Sequence, residues 1–240
     1  MTFGVVFALI ALAFVAAGGL AIQAGVAASL LGLLGVIALI WTGLACLMAS
    51  IAWLLPTRTG QSNHRVRWIF GKRADGTRAQ WSTILLLPFL GPVWAYWHIR
   101  RPRLEEAPWH ELLPDLVIGR RLLDSEFDLE VDHIVDLTCE YTADPQQRRH
   151  PGYLCLPIVD GTAPPVVVLQ QYVAKLQQLE GRIYLHCAEG HGRTGTVAAA
   201  LLLARGAAAD VDDALAQIIS ARPKARLYAG QLRVLRLCAR

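Results

Sequence analysis

From Met1 to Thr57 the chain has no Asp, Glu, Lys or Arg, and its first charged side chain is Arg58. A stretch of that length without charge cannot form a solvated surface. As helix, at about 1.5 Å per residue, it would measure roughly 85 Å, enough for two crossings of a hydrocarbon core about 30 Å thick and a turn between them. The small and polar run Gly18-Gly19-Leu20-Ala21-Ile22-Gln23-Ala24-Gly25 is the natural break. The sequence therefore predicts a transmembrane helical hairpin over 1–57, with helices from Thr2 to Ile22 and from Gly25 to Leu55. Gly and Ala recur along both segments, as in Gly32-Leu33-Leu34-Gly35, which would let the two helices approach closely. A cleavable signal peptide is the competing reading of the first segment, but the positively charged n-region is missing.

A third apolar stretch, Ala79 to Ile99, is long enough to span a bilayer, yet it holds Pro88, Gly91 and Pro92 and carries Trp81, Trp94 and Trp97. Such a segment fits a kinked crossing or an interfacial or re-entrant one. Its flanks are both basic: Arg58, Arg65, Arg67, Lys72, Arg73 and Arg78 precede it with Asp75 as the lone acid, and Arg100, Arg101 and Arg103 follow. By the positive-inside rule both flanks are cytoplasmic, which favours the interfacial or re-entrant reading. Residues 58–103 carry nine Lys/Arg and one acid, net +8, whereas residues 104–240 carry fourteen and eighteen, net −4, together the overall +4. The basic character belongs to the membrane region, where it suits anionic headgroups, and is no argument for nucleic acid.

The remainder, 104–240, alternates strands and helices. Strands are expected at Asp115–Arg120, Val131–Thr138, Gly152–Ile158 and Arg182–His186, and helices at Pro165–Leu179, Gly195–Arg205, Val211–Ala221 with Asp210 as N-cap, and Leu227–Leu237. That pattern makes an α/β domain with a central sheet flanked by helices. The five cysteines, Cys46, Cys139, Cys155, Cys187 and Cys238, are odd in number and contain no Cys-x-x-Cys pair. Neither a disulfide framework nor a zinc site is indicated, and no cofactor is implied.

Between the last strand and its helix lies His186-Cys187-Ala188-Glu189-Gly190-His191-Gly192-Arg193-Thr194-Gly195. Successive backbone N–H groups in such a turn, backed by a helix N-terminus, make a concave anion site the size of a phosphate. The same field favours the thiolate of a cysteine at its mouth, a nucleophile facing bound phosphorus. Arg193 would return to the rim and bind two phosphate oxygens with its planar fork. Thr194 could donate its hydroxyl proton to the sulfur. Gly190, Gly192 and Gly195 would admit positive φ, the amides of Ala188, Glu189, Gly190, His191 and Gly192 would line the cradle, and His186 would orient the loop through hydrogen bonds. The side chains of Glu189 and His191 would point outward.

In these residues the chain resembles the cysteine-dependent tyrosine and dual-specificity phosphatases, which carry Cys-(x)5-Arg-Ser/Thr; it looks like a membrane-anchored member of bacterial type. The resemblance covers about Trp109 to Arg240 and implies a dual-specificity-phosphatase-like fold, Cys187 as nucleophile forming a phosphocysteine, Arg193 as phosphate clamp and no metal. It also calls for an aspartate on an upstream loop as general acid. Asp160, in Ile158-Val159-Asp160-Gly161-Thr162 at the end of an apolar strand, is the better match, and Asp144 before Pro145 is the rival. The implied substrates are phosphorylated protein side chains or, as the alternative, phospholipids of the phosphatidylglycerophosphate or phosphoinositide type.

Two readings from other classes stand beside this one. An inactive phosphate-binding membrane module would keep the cradle without turnover. A thiol redox sensor would need a resolving cysteine, for which Cys155 is the candidate. The basic tail Arg222, Lys224, Arg226, Arg233, Arg236 and Arg240 reads by default as a solvated helix face. The expected location is an inner or plasma membrane with the catalytic domain in the reducing cytoplasm.

Overall fold

A computed structural model describes residues 3–54 and 62–239; Thr2, Leu55, Arg58 and Arg240 lie outside them. The uncharged opening forms helices α1 (Phe3–Gln23) and α2 (Leu30–Leu54), joined by a short turn in which Gly25 takes φ +72°. Their outer faces are bare hydrocarbon: Leu12, Leu20, Leu30 and Leu31 are all more than 60 % exposed. The close approach of the pair does not use Gly32 and Gly35. It occurs at Gly4 and Gly18 of α1, which face Leu54 and Ile40, and at Gly43 of α2, where a Cβ would sit 2.7 Å from the Val15 side chain and 3.1 Å from the Ala11 carbonyl oxygen. Gly35 faces open space and Gly32 packs on the turn itself.

The basic linker is more ordered than its composition suggests. Helix α3 (Ser62–Phe70) places Val66, Ile69 and Phe70 on one face at helical spacing, and a tight loop then runs to α4 (Gln80–Arg100). The third apolar stretch is thus one continuous helix and not a re-entrant loop; Pro88 and Pro92 lie within it. With α1 and α2 it is one of three helices long and apolar enough to cross a membrane by length and composition.

The rest is a five-stranded sheet in the order β1-β2-β5-β3-β4, from β1 (Trp109–Leu113), β2 (Leu116–Arg120), β3 (His133–Thr138), β4 (Tyr153–Ile158) and β5 (Ile183–Cys187). Only the β1–β2 pair is antiparallel; the other neighbours are parallel. β2 and β5 are buried at every position, as central parallel strands covered on both faces must be. Helix α5 (Pro145–Arg149) lies between β3 and β4. One face of the sheet packs under α6 (Val166–Gln177), α7 (Gly192–Ala204), α8 (Val211–Ala221) and α9 (Ala229–Cys238). α6 contributes Val168, Leu169, Tyr172, Val173 and Leu176, an i, i+3/i+4 stripe. Asp210 caps α8 by accepting from the Asp213 N–H at 2.8 Å. Helix α7 starts three residues earlier than its spacing predicts, inside the glycine-rich turn.

The division of the chain at residue 104 is not how it packs. Lys72 of the linker is buried and donates to Asp136 Oδ2 of β3 at 2.7 Å and to the Tyr141 carbonyl at 2.6 Å. Arg78 donates to the Glu140 carbonyl at 2.8 Å. Ala45, Ala49, Phe70, Leu86, Phe89 and Leu90 share one apolar cluster with Cys139 and Val159 of the α/β part.

Candidate active site

The carboxyl edge of the parallel strands gathers the loops after β2, β3, β4 and β5, the usual place for a ligand in such a sheet. Cys187 is the last residue of β5, and the Gly190 N–H donates to its Sγ at 3.2 Å. Gly190 is the one glycine of the turn with positive φ (+75°), and a Cβ there would lie 2.3 Å from the Gly119 carbonyl carbon. Gly192 and Gly195 are helical and serve packing instead, against Gln231 and Leu227.

Arg193 is fully buried, and its planar fork is not presented at the rim as expected, because Glu140 takes both terminal nitrogens. Its two terminal nitrogens donate to Glu140 at 2.9 and 2.7 Å, one of them also to the Ile158 carbonyl at 3.1 Å, and Asp160 Oδ1 lies 3.0 Å away. Burial alone would raise the Glu140 carboxyl, but the Arg193 charge and its hydrogen bonds outweigh that and hold it low. Burial works against the Arg193 charge as well, and the Asp160 and Glu140 carboxylates overcome it. Arg193 Nε–H and the Thr194 hydroxyl are buried and have no partner among the described residues. Asp160, on the loop after β4, keeps 69 % of its side chain exposed. Its backbone carbonyl accepts from the Trp53 indole at 2.9 Å, at the end of α2. Gln231 of α9 steadies the same loop by donating to the Thr162 carbonyl at 2.9 Å.

The rival Asp144 is committed elsewhere. It pairs with Arg121 and accepts from the Asp124 N–H at 3.0 Å. The His186 ring stacks on Tyr184 at 5.2 Å between centroids, and a hydrogen bond to the Cys187 backbone acts on it against the effect of its burial. Burial drives its pKa down to about 4, so it is neutral. Glu189 and His191 do point out of the turn, to Arg100 and to Glu106 at 2.7 Å respectively. Arg222 is not part of a solvated face. It is buried and donates to the Glu189 carbonyl at 2.9 Å while pairing with Glu106 at 2.9 Å, which props the turn from below. Trp97 of α4 donates to the Ala188 carbonyl at 3.0 Å.

Cys155 cannot resolve Cys187. It lies on β4, two strands away across β3, a separation of roughly 10 Å, well beyond disulfide reach. Burial also pushes its thiol up to about 12.

Cys187, Glu140, Asp160 and the turn open into one cavity of about 390 Å³. Its lining includes Phe7, Trp53, Phe70 and Phe89 as well as His191, Lys224, Arg226 and Gln231. Among the described residues no cluster of three or more His, Cys, Asp or Glu side chains could hold a metal ion.

A mixed α/β sheet with a cysteine-led turn at its carboxyl edge is the architecture of a dual-specificity-phosphatase-like domain. Residues 120–236 match the family described as PTP-SAK, Swiss Army Knife protein, DSP-PTPase phosphatase domain. The crystal structure of Tk-PTP in the active form is similar, at 26 % identity and TM-score 0.50, covering 55 % of this chain and 96 % of that one. Its G95A mutant form is similar at 25 % identity and TM-score 0.50, covering 55 % and 93 %. PTPMT1 in complex with PI(5)P has 20 % identity and TM-score 0.46, covering 55 % and 95 %. No curated protein matches the chain. The family match and the likeness to the two Tk-PTP structures support a phosphatase.

Proposed function

We propose that this chain is a membrane-anchored hydrolase of phosphomonoesters that works through a phosphocysteine, with Cys187 as nucleophile, Arg193 as clamp and Asp160 as general acid. The observation that carries this reading is that Cys187 and Asp160 line one cavity and the buried Arg193 lies 3.0 Å from the Asp160 carboxylate, with its Nε–H and the Thr194 hydroxyl unpaired among the described residues. An unsatisfied buried donor costs about 1–3 kcal/mol. A bound phosphate supplies an acceptor to the Arg193 Nε–H, and the Thr194 hydroxyl is left for the Cys187 sulfur.

In the first step the Cys187 thiolate attacks phosphorus, the S–P bond forms, and the ester P–O bond breaks. The leaving oxygen takes the Asp160 proton. In the second step water attacks the phosphocysteine, Asp160 accepts its proton, and the S–P bond breaks to release inorganic phosphate. The Thr194 hydroxyl stabilises the departing thiolate, and Arg193 with the turn amides holds the equatorial oxygens throughout. Phosphorylated Tyr, Ser or Thr of a protein and the phosphate of a lipid both meet this chemistry.

In this reading α1 and α2 cross the bilayer and α4 lies along its surface. Support for the second point comes from both ends of α4: Arg78, just before it, and Trp94 each donate to the Glu140 carbonyl at 2.8 Å, and Trp97 reaches Ala188. A helix bonded along its length to one edge of an α/β domain stays on that domain's side. Five free cysteines fit a reducing compartment.

The test is phosphate release from p-nitrophenyl phosphate by the full-length protein in detergent with excess chelator. Cys187→Ser should abolish turnover while phosphate still binds. Asp160→Asn should lower kcat by about 10²–10⁴. A turning-over Cys187→Ser would defeat the mechanism, and an inert native protein would favour the phosphate-binding module.

A further inference from the structure

The aromatic side of the active cavity is built by the membrane helices. Phe7 comes from α1, Trp53 from α2 and Phe89 from α4; Phe7 and Phe89 meet edge to face at 5.1 Å, and Trp53 lies 5.3 Å from Phe7 and 5.9 Å from Phe89. The base of the hairpin is two contacts from the candidate phosphate clamp: the Trp53 indole bonds the Asp160 carbonyl, and the Asp160 carboxylate faces Arg193. Away from that base, Leu9, Leu12, Leu44 and Leu47 are exposed on the hairpin and face hydrocarbon once it is in a bilayer. The base then lies at headgroup depth, where Trp side chains are favoured. A phosphate held by Arg193 lies at the same depth.

The cavity is also two-sided in its chemistry. Beside the cysteine-led turn its lining combines the rings of Phe7, Trp53 and Phe89, carried by the apolar helices, with the polar Lys224, Arg226 and His191. A phosphopeptide would press its backbone amides against rings that offer no hydrogen bonds, which is costly. A lipid tail meets those rings with no polar group to strand.

We infer that the substrate is a lipid bearing a terminal phosphate monoester, its phosphate on the Cys187 turn and its first chain carbons against Phe7, Trp53 and Phe89. The reaction is lipid–O–PO₃²⁻ plus water giving lipid–OH and inorganic phosphate, with the ester P–O bond broken through Cys187 as above. This inference rests on the phosphatase reading of the same site and names its substrate class.

The experiment uses the full-length protein in nonionic mixed micelles and measures phosphate release. Its substrates are dioctanoyl phosphatidic acid, dioctanoyl phosphatidylglycerophosphate, glycerol 3-phosphate, a phosphotyrosyl and a phosphoseryl peptide, and p-nitrophenyl phosphate. For one or both lipids kcat/KM should exceed that of glycerol 3-phosphate by on the order of 100-fold, and exceed both peptides, because the burial of each chain carbon adds to binding. The two lipids present the same monoester at different distances from the tails, so their ranking reports the headgroup length that fits. Phe7→Ser and Tyr96→Ser, on the aromatic side, should lower the ratio of lipid to p-nitrophenyl phosphate turnover about tenfold. If a variant does not fold, the chain-length comparison on the unaltered protein decides alone. Hydrolysis of p-nitrophenyl phosphate with peptides preferred, or with no gain from the acyl chains, would overturn the lipid assignment and leave the phosphatase standing. Failure to hydrolyse any of the six would overturn both.

Discussion

Arg193 is gripped by a carboxylate that comes from another loop. Glu140 takes both terminal nitrogens, which leaves Nε–H as the free donor edge and sets the plane in which a phosphate would be met. Breaking a buried ion pair by removing one partner costs about 3–5 kcal/mol. Glu140→Ala is therefore expected to lower the melting temperature and to raise KM for p-nitrophenyl phosphate more than tenfold, whereas Glu140→Gln, which keeps one acceptor, should recover much of both; equal damage from the two would argue against positioning. His186 bears on pH. Its ordinary pKa of about 6.5 falls to about 4 in the fold through burial, so between those values the unfolded chain binds a proton that the folded chain does not. Stability then falls as pH drops through that window, by up to about 3 kcal/mol at the lower end. The apparent melting temperature of His186→Asn should depend less on pH from 7 to 4 than that of the native chain. That Cys187 and Arg193 fall in one turn was legible from their shared ten-residue motif, and Asp160 stood out because it ends a strand in a Gly/Pro turn. Glu140 and Arg222 did not: their partners lie 53 and 33 residues away, and local spacing carries no trace of such pairings. The ring stack of His186 was not legible either, since it depends on Tyr184 two residues back on the same strand.

Among the elements, the hairpin and α4 were legible as apolar and uncharged, and the central strands as continuous apolar runs. What they pack against was not. Two prolines suggested a broken third segment, yet α4 stays one helix, held on one side by the Trp41 indole bonding the Leu85 carbonyl at 3.0 Å and on the other by the α/β domain. Helix α3 had a signal, the Val66, Ile69, Phe70 spacing, hidden under the basic charge around it. The antiparallel β1 was missed because a five-residue edge strand before Pro114 and Asp115 reads as the start of the next strand. The contact that ties these elements to chemistry is Trp53 on the Asp160 carbonyl. Trp53→Phe keeps the ring and removes the N–H, so the acid loop loses an anchor. Turnover of an alkyl phosphate, whose leaving oxygen needs a proton, should fall about tenfold, and that of p-nitrophenyl phosphate much less; a uniform loss across leaving groups would mean that Trp53 only supports the fold.

At the scale of the whole molecule, charge divides the chain near residue 104 while packing does not. Lys72 closes the buried network of Asp136, Thr138 and Tyr153, with Tyr153 Oη donating to the Asp136 carboxylate at 2.8 Å and the Thr138 N–H at 2.7 Å. A fragment of residues 104–240 would leave Asp136 buried without its cation, at a cost of about 3–5 kcal/mol. It should aggregate or melt well below a fragment that begins before Lys72, and Asp136→Asn should restore part of the difference; circular dichroism melts of the three fragments check this. The apolar helices and the α/β domain thus pack as one unit, joined by the buried Lys72 ammonium together with Arg78 and a shared apolar cluster. Proteolytic cutting between α4 and the sheet, which in many tethered enzymes sets a working domain loose, would leave Lys72 behind on the membrane side and end activity instead of relocating it.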